Sequence, residues 1–349
     1  TVTRTETIPE LDADAYVLRH AASGARLLYL ACEDENKAFA IGFKTPPADD
    51  TGVFHILEHS VLCGSAKFPV KEPFVDLIKS SMQTFLNAMT YPDKTIYPVA
   101  STNEQDLLNL MDVYMDAVLN PAIYTKPTIF EQEGWHIEVE RDEKGRPHRR
   151  LNGVVYNEMK GALSDPMDVL DNAINRELFP HTAYAHESGG NPCAIPSLTY
   201  EAFLDTHARH YNLSNSYLVL YGAFDDVRRE LAFLDEGYLG DAARTQQARA
   251  RAATGHAPAH VGAPNELGYQ QPLFCDYARV EMATTPDNAV VGQAYVIGDA
   301  LDSFRTVAAD VLFDALLGSN EAPVKRALIQ AGIGGNVTSY TSSACLQPY

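Results

Sequence analysis

The chain has 349 residues, of which 46% are hydrophobic, and it carries a formal net charge of −19. This length favours two domains of ordinary size, with enough apolar side chains for buried cores. The acidity argues against a nucleic acid as partner, because phosphate binding requires a basic surface. It is compatible with basic peptides as ligands. No apolar run reaches the ~18–20 residues of a membrane-spanning helix, so we expect no membrane contact.

Neither the N-terminal segment nor the cysteine content indicates a secreted protein. The polar residues 1–11 lack a signal-peptide pattern. Because the first residue is Thr and not Met, removal of a leader peptide stays an alternative. Five cysteines lie far apart, at positions 32, 63, 193, 275 and 345, and no C-x-x-C pair occurs. This pattern predicts free, mostly buried thiols in a reducing compartment, without a disulfide framework or a cysteine-ligated metal.

The first 120 residues alternate strand and helix patterns. Strands are predicted at 26–32, 38–43, 84–90 and 95–100, and helices at 51–62, 73–81 and 104–119. Gly64 is a stop signal for the first helix, and Pro73 is favoured at the start of the second. Ser101 and Glu104 resemble a capping box that opens the third helix.

The next 120 residues continue this mixture. Strands are predicted at 138–141, 149–151 and 216–221, and helices from 154 to just before Pro166 and at 200–210. Hairpins mixed with helices predict an α+β fold, in which a mixed or antiparallel sheet packs against helices. His207 and His210 on the last of these helices are expected on a solvated helix face.

A change of composition divides the chain into three parts. Residues 241–268 are rich in Ala, Arg, Gly and Pro, which predicts a linker between a catalytic domain at 1–240 and a second domain at 269–349. Strands at 278–282 and 290–297 and a helix at 303–317 then repeat the opening pattern, and residues 335–344 match the hairpin near residue 84. The second domain is therefore expected to be a degenerate, truncated copy of the first, in an N-terminal fragment of a longer protein.

The sequence His55-Ile56-Leu57-Glu58-His59 carries the strongest chemical signal. Residues four apart lie on one face of a helix, so His55 and His59 can offer two imidazoles to one ion. Zinc takes such nitrogen ligands in tetrahedral geometry and keeps one position for water at catalytic sites. Glu58 lies next to this face and can take a proton from that water, as in the inverted zincin motif H-x-x-E-H.

A third metal ligand should be a carboxylate from another element. We choose Glu158, because it lies on the apolar helix that starts at residue 154, where an unpaired carboxylate would be costly. Glu133, which precedes Gly134 and Trp135, is the alternative. Spacing alone does not separate the two.

Five motifs in the same order resemble the pitrilysin/insulysin family of metallopeptidases, and within it the presequence-protease branch. They are the H-x-x-E-H motif, Leu62-Cys63-Gly64-Ser65, Phe85-Leu86-Asn87-Ala88, Gln132-Glu133-Gly134-Trp135 and Val155-Tyr156-Asn157-Glu158-Met159-Lys160-Gly161. The resemblance extends over residues 16–332. It implies a LuxS/metallohydrolase-like (inverzincin) peptidase domain in repeated two-layer α+β units.

The resemblance also implies roles for particular residues. Glu158 matches the distal zinc ligand, and Glu133 matches an acid beside the site that orients a histidine or positions water. Asn87 and Ala88 match the edge strand on which an extended peptide docks. The implied cofactor is one Zn²⁺ per catalytic domain. The implied partners are unstructured peptide substrates and a C-terminal half that completes the site.

Two other functions are compatible with the same motifs. One is a catalytically inactive, peptide-binding or structural homologue, and the other is a processing peptidase that makes one defined cut. General degradation of unstructured oligopeptides is the function that the resemblance favours. The composition is typical of a bacterial cytoplasmic protein, and a mitochondrial matrix or plastid protein with a removed transit peptide is the alternative.

Overall fold

A computed structural model describes residues 1–70, 79–142, 144–241, 268–275, 277–284, 289–333 and 336–349. The chain divides into two compact units. The first contains Thr1–Leu163 and His186–Glu266, and the second contains Ser164–Ala185 and Leu267–Tyr349. The boundaries predicted at residues 240 and 268 stay a prediction, because the predicted linker lies almost wholly outside the described residues.

Strands of the described residues form one large mixed sheet and one separate hairpin. They are β1 (Val2–Ile8), β2 (Ala13–Arg19), β3 (Arg26–Ala31), β4 (Lys37–Lys44), β5 (Gln83–Leu86), β6 (Met89–Thr90), β7 (Lys94–Ser101), β8 (His136–Arg141), β9 (Pro147–Asn152) and β10 (Ser216–Tyr221). The large sheet has the order β1-β2-β3-β10-β4-β7-β5, and β6 also pairs with β7. Among the strand pairs of the described residues in this sheet, only β3–β10 is parallel. The hairpin consists of β8 and β9.

The described residues also form helices, which together with the strands give the predicted α+β class. They are α1 (Val53–Val61), α2 (Glu104–Leu119), α3 (Pro127–Glu133), α4 (Val154–Ala162), α5 (Pro166–Leu178), α6 (Tyr200–His210), α7 (Arg228–Leu234), α8 (Ser303–Leu317) and α9 (Pro323–Gln330). Both α1 and α2 contact β7. Within the part of the chain that the structure describes, no helix combines the length and the apolarity needed to cross a membrane.

The core of the first unit follows from side-chain periodicity. Along β4, alternate residues Phe39, Ile41 and Phe43 point inward and are fully buried, as a strand with one buried face requires. On α2, Leu107 and Leu110 are among the residues that face the same core. The predicted class, a mixed sheet packed against helices, is therefore confirmed.

Most predicted elements of the first unit are confirmed, but one strand and one helix cap need correction. The segment predicted as one strand at 84–90 is interrupted between β5 and β6. The cap of α2 is Asn103, whose side chain accepts a hydrogen bond from the Asp106 backbone, and not Ser101. Ser101 is the last residue of β7 and its hydroxyl donates to Asp106. The hairpin of β1 and β2 was not predicted, and most of the helix predicted at 73–81 lies outside the described residues.

His207 and His210 are buried, so their predicted place on a solvated face is wrong. The His207 ring bonds the Tyr124 hydroxyl at 2.7 Å and the Val118 carbonyl at 3.0 Å. These partners satisfy both ring nitrogens and make the residue part of the core. The prediction of mostly buried cysteines is also wrong, since Cys345 is the only one of the five that is buried.

The second unit contains α5, α8 and α9 and a small core of Phe179, Tyr184 and Cys345. The helix predicted at 303–317 is confirmed as α8. The strands predicted at 278–282 and 290–297 are wrong: these residues form no strand. A strand needs a neighbour for its backbone hydrogen bonds, and the described residues of this unit provide none. The match predicted for 335–344 likewise yields no strand in its described residues.

Candidate metal centre

The helix α1 brings the motif histidines together on one face. Its N-cap is Gly52, which has a positive φ of 65°, and its apolar residues are buried in the core. His55 and His59 are one turn apart, with ring centroids separated by 5.0 Å. His55 and Glu58 are each only 9% exposed. The motif therefore lies in a largely desolvated place, where polar side chains need partners.

Glu158 reaches the histidines from α4. One carboxylate oxygen, Oε2, lies 3.7 Å from Nε2 of His55 and 3.7 Å from Nε2 of His59. The three donor atoms lie within 4.8 Å of one another. The Glu158 side chain is 52% exposed, so the open side of this cluster faces solvent. Among the residues that the structure describes, no other group of three His, Cys, Asp or Glu side chains is spaced to hold a metal ion.

A close backbone contact holds α4 next to α3. The helix begins after Gly153, whose φ is 153°. A Cβ atom at Gly153 would lie 2.1 Å from the carbonyl oxygen of Gly134, which directly follows Glu133 at the end of α3. Only glycine permits this approach. The contact ties the helix that carries Glu158 to the helix that carries Glu133.

The other nitrogen of each histidine ring has its own acceptor. His55 Nδ1 donates to the Gly189 carbonyl at 2.9 Å, and His59 Nδ1 donates to Glu133 Oε2 at 3.3 Å. A carbonyl or carboxylate oxygen can only accept, so each neutral ring carries its proton on Nδ1. Both Nε2 lone pairs are thereby left for an ion, as is typical of ligating histidines.

Glu133 is an anion that supports His59. Burial alone would raise the pKa of Glu133, but hydrogen bonds from His59 and Gln132 lower it below the ordinary value of a glutamate. Burial alone would lower the pKa of His59, yet the bond to Glu133 and the charges of Glu58 and Glu158 raise it. The ring is therefore more basic, and a better donor to a metal ion, than its burial alone would allow.

The remaining predicted site residues lie at a sheet edge. Asn87 and Ala88 connect β5 to β6, two strands that pair only with β7 among the described residues. The Asn87 backbone amide donates to the Pro98 carbonyl at 3.2 Å, and its side chain accepts from the Ala88 amide at 2.9 Å. The neighbouring β6 contacts α1. This edge is therefore adjacent to the helix that carries the histidines.

The contribution of Gly189 was not predicted. It acts through a backbone carbonyl, which any residue type supplies, so neither composition nor spacing marks it. The pair Gly189-Gly190 was the only available signal, because paired glycines often mark a close backbone approach.

An H-x-x-E-H helix with a distal glutamate, on a mixed α+β fold, defines the inverted-motif class of metallopeptidase sites. The family Insulinase (Peptidase family M16) matches residues 40–184, and the Peptidase M16 inactive domain matches residues 197–347. The chain belongs to the M16 peptidase family, and the resemblance drawn from its motifs is confirmed.

Several relatives match almost the whole chain. "Protein HypA" of Clostridium perfringens is 46% identical over 95% of this chain and 33% of its own length. Presequence protease 1, chloroplastic/mitochondrial, of Arabidopsis thaliana is 39% identical over 98% of this chain and 31% of its own length. The chain thus spans about a third of the length of these relatives.

A solved structure shares the fold. The crystal structure of pitrilysin aligns with a TM-score of 0.50 and 17% sequence identity, over 67% of this chain and 23% of that chain. At this identity the likeness concerns the fold alone.

Proposed function

We propose that the chain carries the metal-binding catalytic domain of a zinc endopeptidase that cleaves unstructured oligopeptides. The observation that carries this proposal is the convergence of two Nε2 atoms on one carboxylate oxygen, each at 3.7 Å. Ligands about 2.0–2.2 Å from a tetrahedral zinc ion lie roughly 3.3–3.6 Å from one another. The three side chains therefore fit such an ion after small rotations.

His55, His59 and Glu158 would hold the zinc ion. When bound, the ion would act as a Lewis acid and lower the pKa of a bound water to about 7. Glu58 accepts a proton from the attacking water and then delivers it to the nitrogen of the leaving amine. Glu133 keeps His59 oriented and its Nε2 unprotonated.

The substrate is proposed to bind as an extended strand. The edge at Asn87 and Ala88 offers the backbone to a peptide that adds one strand to the sheet, next to α1. A folded protein cannot present such a strand without unfolding. The net charge of −19 favours basic peptides, such as cleaved targeting sequences. We further propose a C-terminal half that completes the site, and a bacterial cytoplasmic location.

The test combines metal content with turnover. The Glu58→Gln chain is expected to bind zinc as the unchanged chain does. The full-length polypeptide with the same substitution is expected not to cleave a fluorogenic basic peptide. Glu158→Ala is expected to lose zinc, because it removes one of three ligands. Full turnover of Glu58→Gln would refute its role as base, and stoichiometric zinc in Glu158→Ala would refute its role as ligand. Zinc binding without any peptide cleavage would favour the inactive homologue, and a single cut in every peptide would favour a processing peptidase.

A further inference from the structure

The loop 187–191 packs against the residues that precede α1. The backbone amide of Glu187 donates to Asp50 Oδ1 at 2.8 Å, and the amide of Asn191 donates to the Asp50 carbonyl at 2.8 Å. Inside the loop, the Gly189 amide donates to Glu187 Oε1 at 2.9 Å. Asp50 therefore ties both ends of the loop to the start of the helix that carries the motif histidines.

Gly52 and the loop touch backbone to backbone. A Cβ atom on Gly52 would lie 2.6 Å from the carbonyl oxygen of Gly189 and 2.6 Å from the Cα atom of Gly190. Neither atom belongs to a side chain that could rotate away. The oxygen that would be displaced is the acceptor of the His55 Nδ1–H bond. The bare Cα of Gly52 is thus what permits the carbonyl to reach His55.

The same loop also contacts the helix of the third ligand. A Cβ atom on Gly189 would lie 2.7 Å from both Sδ and Cε of Met159, so this side chain rests directly on the glycine. Met159 is 8% exposed and follows Glu158 on α4. One loop therefore adjoins a ligand of α1 and the ligand-bearing helix α4.

We propose that Asp50 and Gly52 are positioning residues of the metal site, acting through the Gly189 carbonyl. Asp50 holds the loop, and Gly52 leaves room for the carbonyl. The carbonyl then keeps the His55 proton on Nδ1 and turns Nε2 toward the ion. This inference rests on the proposed metal function of the site. Outer partners of metal-ligating histidines typically contribute about 10–100-fold to metal affinity, which is the effect expected here.

Gly52→Ala is the direct test, and Gly145→Ala is its matched control. Both glycines have similar positive φ values, 65° and 77°, so alanine strains the backbone alike in the two variants. A Cβ atom on Gly145 meets nothing within 4 Å. We expect Gly52→Ala to weaken zinc binding about 10–100-fold in a chelator competition, and Gly145→Ala to bind like the unchanged chain. Equal affinities of the two variants would overturn the proposal.

Asp50 provides a second test that does not depend on backbone strain. Asp50→Asn retains an oxygen acceptor for the Glu187 amide, whereas Asp50→Ala removes it. We expect weakened zinc binding for Asp50→Ala and rescue in Asp50→Asn. Equal loss in both variants, or none in either, would overturn the role of Asp50 even if Gly52→Ala failed to fold.

The histidine tautomer separates this inference from the proposed function. In the metal-free chain with ¹⁵N-labelled histidine, nuclear magnetic resonance is expected to show the neutral His55 ring protonated at Nδ1, with the other tautomer gaining population in Asp50→Ala. A chain that binds no zinc but shows this change would refute the metal function and support the positioning. An Nε2-protonated His55 in the unchanged chain would overturn the positioning.

Discussion

Replacing Glu133 by Gln tests whether Glu133 supports His59 in the candidate metal centre. Glu133 is 6% exposed, and its two oxygens accept from His59 Nδ1 at 3.3 Å and from Gln132 Nε2 at 2.8 Å. The variant keeps an acceptor of the same shape but removes a buried negative charge. That charge is one of the causes that raise the pKa of His59 despite burial. We therefore expect a less basic ring and weaker zinc binding.

The expected loss of affinity is about 10–100-fold, or roughly 1.4–2.8 kcal/mol, as for other outer partners of ligating histidines. The sign of its pH dependence follows from the same change. Protons compete with zinc for the His59 ring below its raised pKa, and the variant lowers that pKa. The difference in zinc affinity should therefore be largest at neutral pH and should narrow as the pH falls.

Chelator competition at several pH values measures this effect. Glu158→Ala is the reference for loss of a direct ligand. Unchanged affinity in Glu133→Gln at neutral pH would refute the support of His59. A loss of zinc affinity as large as that caused by Glu158→Ala would indicate that Glu133 itself binds the metal.

Three further predictions concern stability and geometry. Glu230 is fully buried, and this burial raises its pKa to about 7. Because this pKa lies above the unfolded value of 4.5, stability should fall by about 1–3 kcal/mol between roughly pH 5 and 7. Glu230→Gln should remove this loss in urea unfolding, and an unchanged pH profile would contradict it. Gly153→Ala should push α4 away from Gly134 and weaken zinc binding through Glu158, and wild-type affinity would reject this. Phe39→Ala should lower the free energy of unfolding by about 3–5 kcal/mol, and a loss under about 1 kcal/mol would argue against its place in the core.

Elements with strong local periodicity could be predicted from the sequence. The apolar residues around His55 and His59 specify a buried helix, and the alternation of Phe39, Ile41 and Phe43 specifies a strand with one buried face. The spacing of the two histidines predicts their juxtaposition because helix geometry alone places residues four apart on one face. These features depend on neighbours in sequence.

Features that depend on distant neighbours could not be predicted in this way. Which of Glu158 and Glu133 lies beside the two histidine Nε2 atoms depends on how two helices meet, and these helices meet at Gly153 and Gly134. His207 is a polar residue, but hydrogen bonds with the Tyr124 hydroxyl and the Val118 carbonyl satisfy its two ring nitrogens inside the core. The apolar segments at 278–282 and 290–297 have strand composition, but β structure also requires a paired neighbour. Local propensity carries no information on such partners.

Anomalous diffraction at the zinc absorption edge, from crystals of the zinc-loaded chain, tests the central claim most directly. We predict one peak with His55 Nε2, His59 Nε2 and a Glu158 oxygen each at about 2.0–2.2 Å, and Glu133 bound to His59 rather than to the metal. A peak ligated by other residues, or no peak at this cluster in a zinc-saturated crystal, would contradict the proposed metal centre.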